Sequence, residues 1–178
     1  MSDWADEILS FWFALDPHQH WKQDDALDAE IEERFLDLWE EQSGRVAEDF
    51  LGSAREALAA VILFDQFPRN MFRGHADQFS TDTLALAIAK RAVDRELDEQ
   101  LTKQQRGILY MPFQHSEDLD DQRQSLILFS KLGDEFQLSF AQKHHDVIKR
   151  FGRFPHRNAM LGRQPRPDEV AAGDVVPW

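Results

Sequence analysis

Apolar residues recur every three or four positions along most of the chain, which is the spacing of one face of an α-helix. Ala54, Leu58 and Ile62 form one such stripe, and residues 27–38 carry another. No segment of useful length alternates apolar and polar residues as a half-buried strand would. The pattern therefore predicts an all-α fold of about seven to nine helices, stacked most simply as antiparallel helical hairpins.

Residues that cap helices mark where these helices should begin, because a side-chain oxygen can accept from the first free backbone N–H groups. The predicted starts are Ser2 or Asp3, Asp24 or Asp25, Ser53, Ser80 or Thr81, a capping box of Thr102 with Gln105, and Ser116. Each precedes an apolar stripe at helical spacing.

Prolines and glycines mark the predicted ends. Pro68 and Pro112 should each close a helix, and Gly133 and Gly152 suit left-handed positions just after one. The last long helix should bury Phe136, Phe140, His144, Val147 or Ile148, and Phe151 on one face. We expect residues 1–164 to form a single domain and residues 165–178 to be a partly ordered C-terminal tail.

The charge of the chain is unevenly distributed. Overall the chain carries −13, yet residues 143–166 contain seven Lys and Arg against a single acid, so they carry +6 and the remainder −19. The acidic excess opposes broad attraction to nucleic acid or to anionic lipid, since both require a large positive face. A local basic site for a small anionic ligand is compatible with this distribution.

The absence of cysteine excludes a disulfide framework, a thiol nucleophile and a thiolate metal site. No segment has the length and apolarity of a membrane span, and the start of the chain lacks a basic and apolar leader pattern. We therefore expect a cytoplasmic protein that does not associate with membranes. Neither a cofactor nor a metal is expected, because no Gly-rich phosphate loop and no His-Glu-x-x-His pair occurs.

Polar residues gather where three predicted helices end, in segments 64–70, 111–118 and 143–166. If the helices stack as hairpins, these turns can meet on one side. The residues that would then form an anion site are Asp65, Arg69, Asn70, His115, Glu117, His144, Arg153, His156, Arg157 and Asn158. Arginine presents a planar fork suited to carboxylate or phosphate, and histidine and asparagine add donors.

Within that set, His115 and His144 are the candidates for general acid or base chemistry. The alternative is structural: Asp65 would be a buried partner for Arg69 or Arg157, Glu117 a first-turn helix charge, and His144 a hydrogen-bonded core residue.

Three motifs carry a resemblance to a known family. They are LFDQFPRNMFRG at 63–74, YMPFQHSEDLDDQ at 110–122 and KHHDVIKRFGRFPHRNAMLGR at 143–163, with a weaker match in FWFALD near the start. In these motifs the chain resembles the bacterial domain of unknown function 924 family, whose members have a TPR-like, all-helical fold. The resemblance implies that fold and implies that the three segments belong together; it supplies no activity.

The chain departs from the family pattern in the early loop and in the last motif. Trp21-Lys22 stands where Trp-Phe is common, Leu27 stands where an aromatic residue precedes the aspartate, and His145 stands where an arginine is usual. The matching histidine is His144.

Two functions are favoured by the sequence, while a third, binding of an RNA end or loop by the basic segment, is disfavoured by the charge of −19 on the rest of the chain. The first is a compact site for a small anionic ligand, with or without catalysis. The second is a TPR-like protein interaction module in which the Arg, His and Asp residues form a structural salt-bridge network. Bunching of the polar residues at three turns favours the first.

Overall fold

The computed structural model describes residues 3–178, apart from the side chain of Asp3. The helices it contains are α1 (Asp3–Ala14), α2 (Asp25–Gln42), α3 (Ala54–Val61), α4 (Phe67–Met71), α5 (Asp82–Asp94), α6 (Lys103–His115), α7 (Leu119–Leu132), α8 (Glu135–Phe151) and α9 (Pro167–Ala172). Short 3₁₀ turns join several of them, and no strand occurs within residues 3–178. The predicted all-α class is confirmed.

The chain divides into two compact units, one ending at Leu109 and one beginning at Tyr110. Helix α6 contains this boundary. The predicted single domain over residues 1–164 stays a prediction. No helix in the described part of the chain is long and apolar enough to cross a membrane.

The core of the first unit is built around α3, which packs against α1 and α5. Every residue from Ala57 to Phe64 is fully buried, so this segment is apolar on all sides. Phe35 stacks on Phe67 with ring centroids 4.6 Å apart, and Phe11 meets Phe35 edge-on at 5.2 Å. Burying each such ring stabilises the fold by about 1.5 to 3 kcal/mol, and the rings join α1, α2 and α4.

The helical segment that begins with α3 does not end at Phe67-Pro68, where the proline predicts its end. Residues Ile62–Gln66 form a π-helical turn, closed by Phe67 N–H donating to Ile62 C=O, and the chain continues as α4 through Pro68. Pro68 has no N–H for the Phe64 carbonyl four residues earlier. That carbonyl accepts instead from the Thr81 hydroxyl at 2.7 Å, so a tertiary contact replaces the missing helical bond.

Most predicted helix starts and ends are observed. Asp24 and Ser53 cap α2 and α3, and Thr102 with Gln105 forms the expected capping box. Thr81 is the N-cap of α5 as predicted, although its hydroxyl donates to the Phe64 carbonyl and does not cap the helix. Two further boundary predictions are wrong, because Asp118 rather than Ser116 caps α7 and Pro112 lies inside α6. The Ser2 cap lies outside the described residues.

Helices α7 and α8 form the packed hairpin of the second unit. Gly133 makes the turn at φ +68, and Asp134 caps α8 by accepting from Gln137 N–H. The buried positions of α8 are Ala141, His144, Ile148 and Phe151.

The predicted buried stripe of α8 is partly wrong, because Phe136 is 68% exposed. A helix of this period offers two adjacent stripes, and Phe136 and Phe140 lie on the stripe beside the buried one. Small Ala141 occupies the buried stripe in the same part of the helix and is fully buried.

The conformation of Gly133 generates a stability prediction. A Cβ built on Gly133 or on Gly44 meets no atom within 4 Å, but only Gly133 has a positive φ. Gly133→Ala should therefore lower the free energy of unfolding by roughly 1 kcal/mol through backbone strain alone. Gly44→Ala, the matched control, should leave it unchanged or slightly higher. Urea denaturation of both variants measures this, and equal losses would contradict the strain explanation.

Candidate functional site

The predicted site residues fall in both compact units, and each group is described within its own unit. Asp65, Arg69 and Asn70 belong to the first unit, and the remaining seven belong to the second. Convergence of the 64–70 segment with the other two stays a prediction.

In the first unit, Asp65 lies on the π-helical turn with 0% of its surface exposed. The Arg69 guanidinium donates to both oxygens of Asp82 at 2.9 and 3.0 Å and lies 3.6 Å from an oxygen of Asp65. Burial opposes the charge of Arg69, but Asp82 and Asp65 outweigh it and raise the pKa of Arg69. These contacts tie the turn and α4 to α5.

Asn70 joins α4 to α2. Its side-chain amide donates to Asp28 at 2.8 Å, and Arg73 donates to the same carboxylate at 2.6 and 2.9 Å. The hydrogen bonds that Arg73 donates to Asp28 raise the pKa of Arg73. In these contacts the polar residues of the 64–70 segment hold helices together.

The second unit brings the segments 111–118 and 143–166 together at Phe154. The Phe154 N–H donates to Glu117 at 2.7 Å, and its carbonyl accepts from Arg163 at 3.0 Å. Arg163 also pairs with both oxygens of Glu117, at 2.8 and 3.0 Å. Burial raises the pKa of Glu117, yet the hydrogen bonds from Arg163 and Phe154 outweigh burial and lower it.

Glu169 on α9 closes the same set of contacts. It is 3% exposed and accepts from Arg153 at 2.6 and 2.9 Å, from Asn158 at 2.9 Å and from the Arg166 N–H at 2.8 Å. The hydrogen bond from Arg153 is the main reason that the pKa of Glu169 is lowered to about 2. Asn158 in turn accepts from Arg163 at 3.0 Å.

We refer to Glu117, Arg153, Asn158, Arg163 and Glu169 as the arginine network. Two of its members, Arg163 and Glu169, were missed in the sequence. Pro167 is a residue typical of the first position of a helix, and acidic Asp168 and Glu169 follow it in the first turn. This pattern is the sequence signal that predicts a short helix within the expected tail. Arg163 pairs with a residue 46 positions away, which no local pattern reveals.

A second group surrounds the ring of Phe154. The rings of His144 and His156 each lie 5.6 Å from it, and the Arg157 guanidinium lies 4.6 Å from it. His115 lies 6.2 Å from His144, ring to ring. We call His115, His144, His156 and Arg157, with Phe154, the histidine cluster.

Arg157 also stabilises the end of α6. It donates to the His115 carbonyl at 3.0 Å, while Gln122 donates to the carbonyls of Gln114 and Ser116 at 2.7 Å each. The last carbonyls of a helix have no helical partner and carry partial negative charge, which favours a cation nearby. Arg157 thus has a structural contact in addition to its place in the cluster.

His144 is held neutral. It is 8% exposed, and because a carbonyl can only accept, the 2.8 Å contact with the Phe140 carbonyl places the proton on Nδ1. Burial, followed by the positive charges of His115, Arg157 and His156, lowers the pKa of His144 to about 3. Nε2 is consequently the nitrogen that can accept a hydrogen bond or a proton.

Neither group of contacts resembles a metal site, since no three His, Asp or Glu side chains are grouped to hold an ion in the described part of the chain. An open groove of about 490 Å³ lies in the first unit, lined in part by Val46, Leu84 and a paired Glu48 and Arg91. None of the ten predicted residues lines it.

These features define an all-helical protein with a polar network and a histidine cluster in its second unit. The chain belongs to the bacterial domain of unknown function 924 family, whose model matches residues 8–172. A solved structure of a protein of unknown function from Agrobacterium tumefaciens is similar, with 38% identity, a TM-score of 0.89, and coverage of 94% of this chain and 95% of that chain. Comparison with curated proteins gives no match. The predicted family membership is confirmed.

The low pKa of His144 generates a pH prediction. Between its ordinary value of 6.5 and its folded value of about 3, the unfolded chain binds a proton at this residue and the folded chain does not. The free energy of unfolding should therefore fall as pH falls, by about 2 kcal/mol from pH 6.5 to about pH 5. His144→Asn, which keeps a donor near Nδ1, should flatten this dependence in urea titrations. His18→Asn, in an exposed turn, controls for the loss of an imidazole, and a slope unchanged by His144→Asn would contradict the assignment.

The Glu117–Arg163 pair generates a second prediction. A double-mutant cycle of Glu117→Gln and Arg163→Gln should give a coupling energy of roughly 1 to 3 kcal/mol, because both side chains also bind the backbone of Phe154. The matched control is Arg123 with Asp120, whose side chains are 61% and 85% exposed. That pair should couple by less than about 1 kcal/mol. Equal coupling in the two cycles would contradict a structural role for Glu117–Arg163.

Proposed function

We propose that this protein binds a small anionic ligand, bearing phosphate or carboxylate, at the histidine cluster of its second unit. The observation that carries the proposal is the grouping of two histidine rings and one guanidinium around Phe154, with a third histidine, His115, beside His144. Four groups that are cationic or can become so therefore lie close together, and two of them, His144 and Arg157, are buried. An anion would relieve the repulsion among them.

The charge distribution supports the same conclusion. The arginine network uses Arg153 and Arg163 to neutralise Glu169 and Glu117. Burial lowers the pKa of His144, and the positive charges of His115, Arg157 and His156 lower it further. Arg157 also lowers the pKa of Glu117. Glu117, Arg153 and Asn158 would therefore support the site by holding the backbone of the exit turn rather than by touching the ligand.

Binding of an anion would also change the protonation of the cluster. A negative charge near Nε2 of His144 would raise the pKa of this histidine from about 3. Ligand binding would then be accompanied by proton uptake, and affinity would increase as pH falls. Within this proposal His144 and His115 are the groups that could hold or move a proton for a bound substrate.

The proposal is tested by thermal unfolding in phosphate, citrate and nucleotides against chloride at matched ionic strength. At about 100 times Kd a ligand adds about 2.7 kcal/mol of stability, which raises Tm by roughly 5 to 10 °C in a protein of this size. His156→Ala and Arg157→Ala should abolish this increase. Arg123→Ala, which removes an exposed positive charge elsewhere in the unit, should preserve it.

Three results would overturn or redirect the proposal. If none of these anions raises Tm in the parent protein, the anion site is rejected. A rise that survives His156→Ala and Arg157→Ala places the anion elsewhere and also rejects it. If Arg157→Ala prevents folding, Arg157→Lys and His156→Ala still test binding, and the collapse itself supports a structural role for Arg157.

A second candidate function is a TPR-like interaction module in which the polar residues serve only as structural salt bridges. The bidentate pairs Arg153–Glu169 and Arg163–Glu117 favour its structural part. Its functional part would use an accessible face of the stacked hairpins, as repeat proteins do.

A further inference from the structure

Helix α8 carries a second stripe beside its buried one. Phe136, Phe140, Lys143, Val147 and Arg150 follow one another at spacings of four and three residues, which places them on one face of the helix. We call these five residues the α8 stripe. Phe136 is 68% exposed, and Lys143 and Arg150 are exposed as well.

The aromatic end of the stripe is ordered by its own contacts. Phe136 and Phe140 meet edge-on with centroids 5.0 Å apart, and the Lys143 ammonium lies 4.8 Å from the Phe140 ring. The centres of protein–protein interfaces are enriched in aromatic residues and Arg. An exposed aromatic ring beside a cation is therefore typical of such a surface. Of the three apolar residues of the stripe, Phe136 is exposed, whereas Phe140 and Val147 are half-buried.

The charge of the stripe identifies the kind of partner. Lys143 and Arg150 are the exposed cations of the stripe, and Asp146 is the one exposed acid on the second half of α8. The stripe is therefore positive in a chain that carries −13 overall. Lys143 lies midway between positions 136 and 150, so two copies of the stripe would bring their Lys143 side chains together in either relative direction, and like charges disfavour that pairing.

The dimensions of the stripe suit a helix. The positions from 136 to 150 span about 21 Å of helix axis, or about four turns. A partner helix with apolar residues at i, i+3, i+4 and i+7 could pack them against Phe136, Phe140 and Val147. Acidic residues flanking those positions would meet Lys143 and Arg150.

We infer that the α8 stripe is a docking face for an acidic amphipathic helix of another protein. This inference does not depend on the anion site and rests on the second candidate function, for which it names the surface and the partner chemistry. Aromatic burial would supply most of the affinity, and the cations would select acidic partners and speed association.

The test uses a fluorescent helix-favouring peptide with Leu at alternating three- and four-residue spacing and Glu at the flanking positions. Anisotropy should show saturable binding to the full-length protein, weakened roughly 10-fold by Phe136→Ala. Lys143→Glu should also weaken binding, most strongly at low salt. Ile127→Ala, at an exposed apolar position on α7, should change affinity by less than about twofold.

Control ligands separate the alternatives. A version with Lys in place of Glu should bind at least about 10-fold more weakly than the acidic peptide. Equal binding of the two, or affinity unchanged by Phe136→Ala, overturns the inference. Self-association that disappears in Phe136→Ala, seen by light scattering, would assign the face to a second copy instead. Binding to phosphatidylglycerol vesicles that depends on Phe136 would assign it to a membrane surface.

Failure here is distinguishable from failure of the anion site. Phe136 is not part of the histidine cluster, so Phe136→Ala should retain the full rise of Tm in the anion that stabilises the parent protein. Loss of that rise in Phe136→Ala would show that the substitution disturbs the unit as a whole, which would overturn the inference of a separate surface.

Discussion

The backbone of Phe154 is bound on both sides by the two members of one ion pair. Glu117 accepts from its N–H, Arg163 donates to its carbonyl, and the two side chains bind each other. The contact joins the α6–α7 connection to the chain that leaves α8. Because the ring of Phe154 is fully buried, fixing its backbone also fixes the surface on which His144, His156 and Arg157 pack.

The basic segment 143–166 therefore contains two kinds of positive charge. Arg153 and Arg163 are each bound by a carboxylate in bidentate geometry, and their contribution to the local field is largely neutralised. Burial lowers the pKa of His144, and the positive charges of His115, Arg157 and His156 lower it further. A segment that is strongly basic in the sequence is therefore neutralised in part by Glu117 and Glu169. Lys149 and Arg150 are exposed on α8.

Local rules predicted the all-helical fold and many helix boundaries. Ser53 and Gly133 act within one helical turn of their own positions, so their roles can be read from neighbouring residues. Predicted helix ends are wrong where a contact with a distant residue satisfies a backbone group that the local sequence leaves without a hydrogen bond. Pro68 does not end its helix because Thr81 satisfies the carbonyl it leaves open.

The candidate site was harder to predict for the same reason. The sequence shows which residue types form the candidate site and which segments contain them. It does not show which arginine pairs with which carboxylate. The sequence predicts Glu117 as a ligand-binding residue, with a first-turn helix charge as the alternative. Glu117 precedes the cap of α7 and binds Arg163, 46 positions later. The exposure of Phe136 depends on which of two overlapping stripes packs against α7, and helical spacing alone does not distinguish them.

The π-helical turn at Ile62–Gln66 has a consequence for how the chain tolerates changes in length. One extra residue is accommodated there, so removing a residue from this turn would restore ordinary helical winding instead of opening a gap. Side chains beyond the turn would then keep roughly their present orientation relative to α3, because the wide turn already takes up the extra residue. The Arg69–Asp82 contact would be retained. A deletion inside α3 itself has no extra residue to remove, and it would rotate every later side chain of the helix by about 100°. The same sequence change is thus a local repair at the π turn and a change of register one turn earlier.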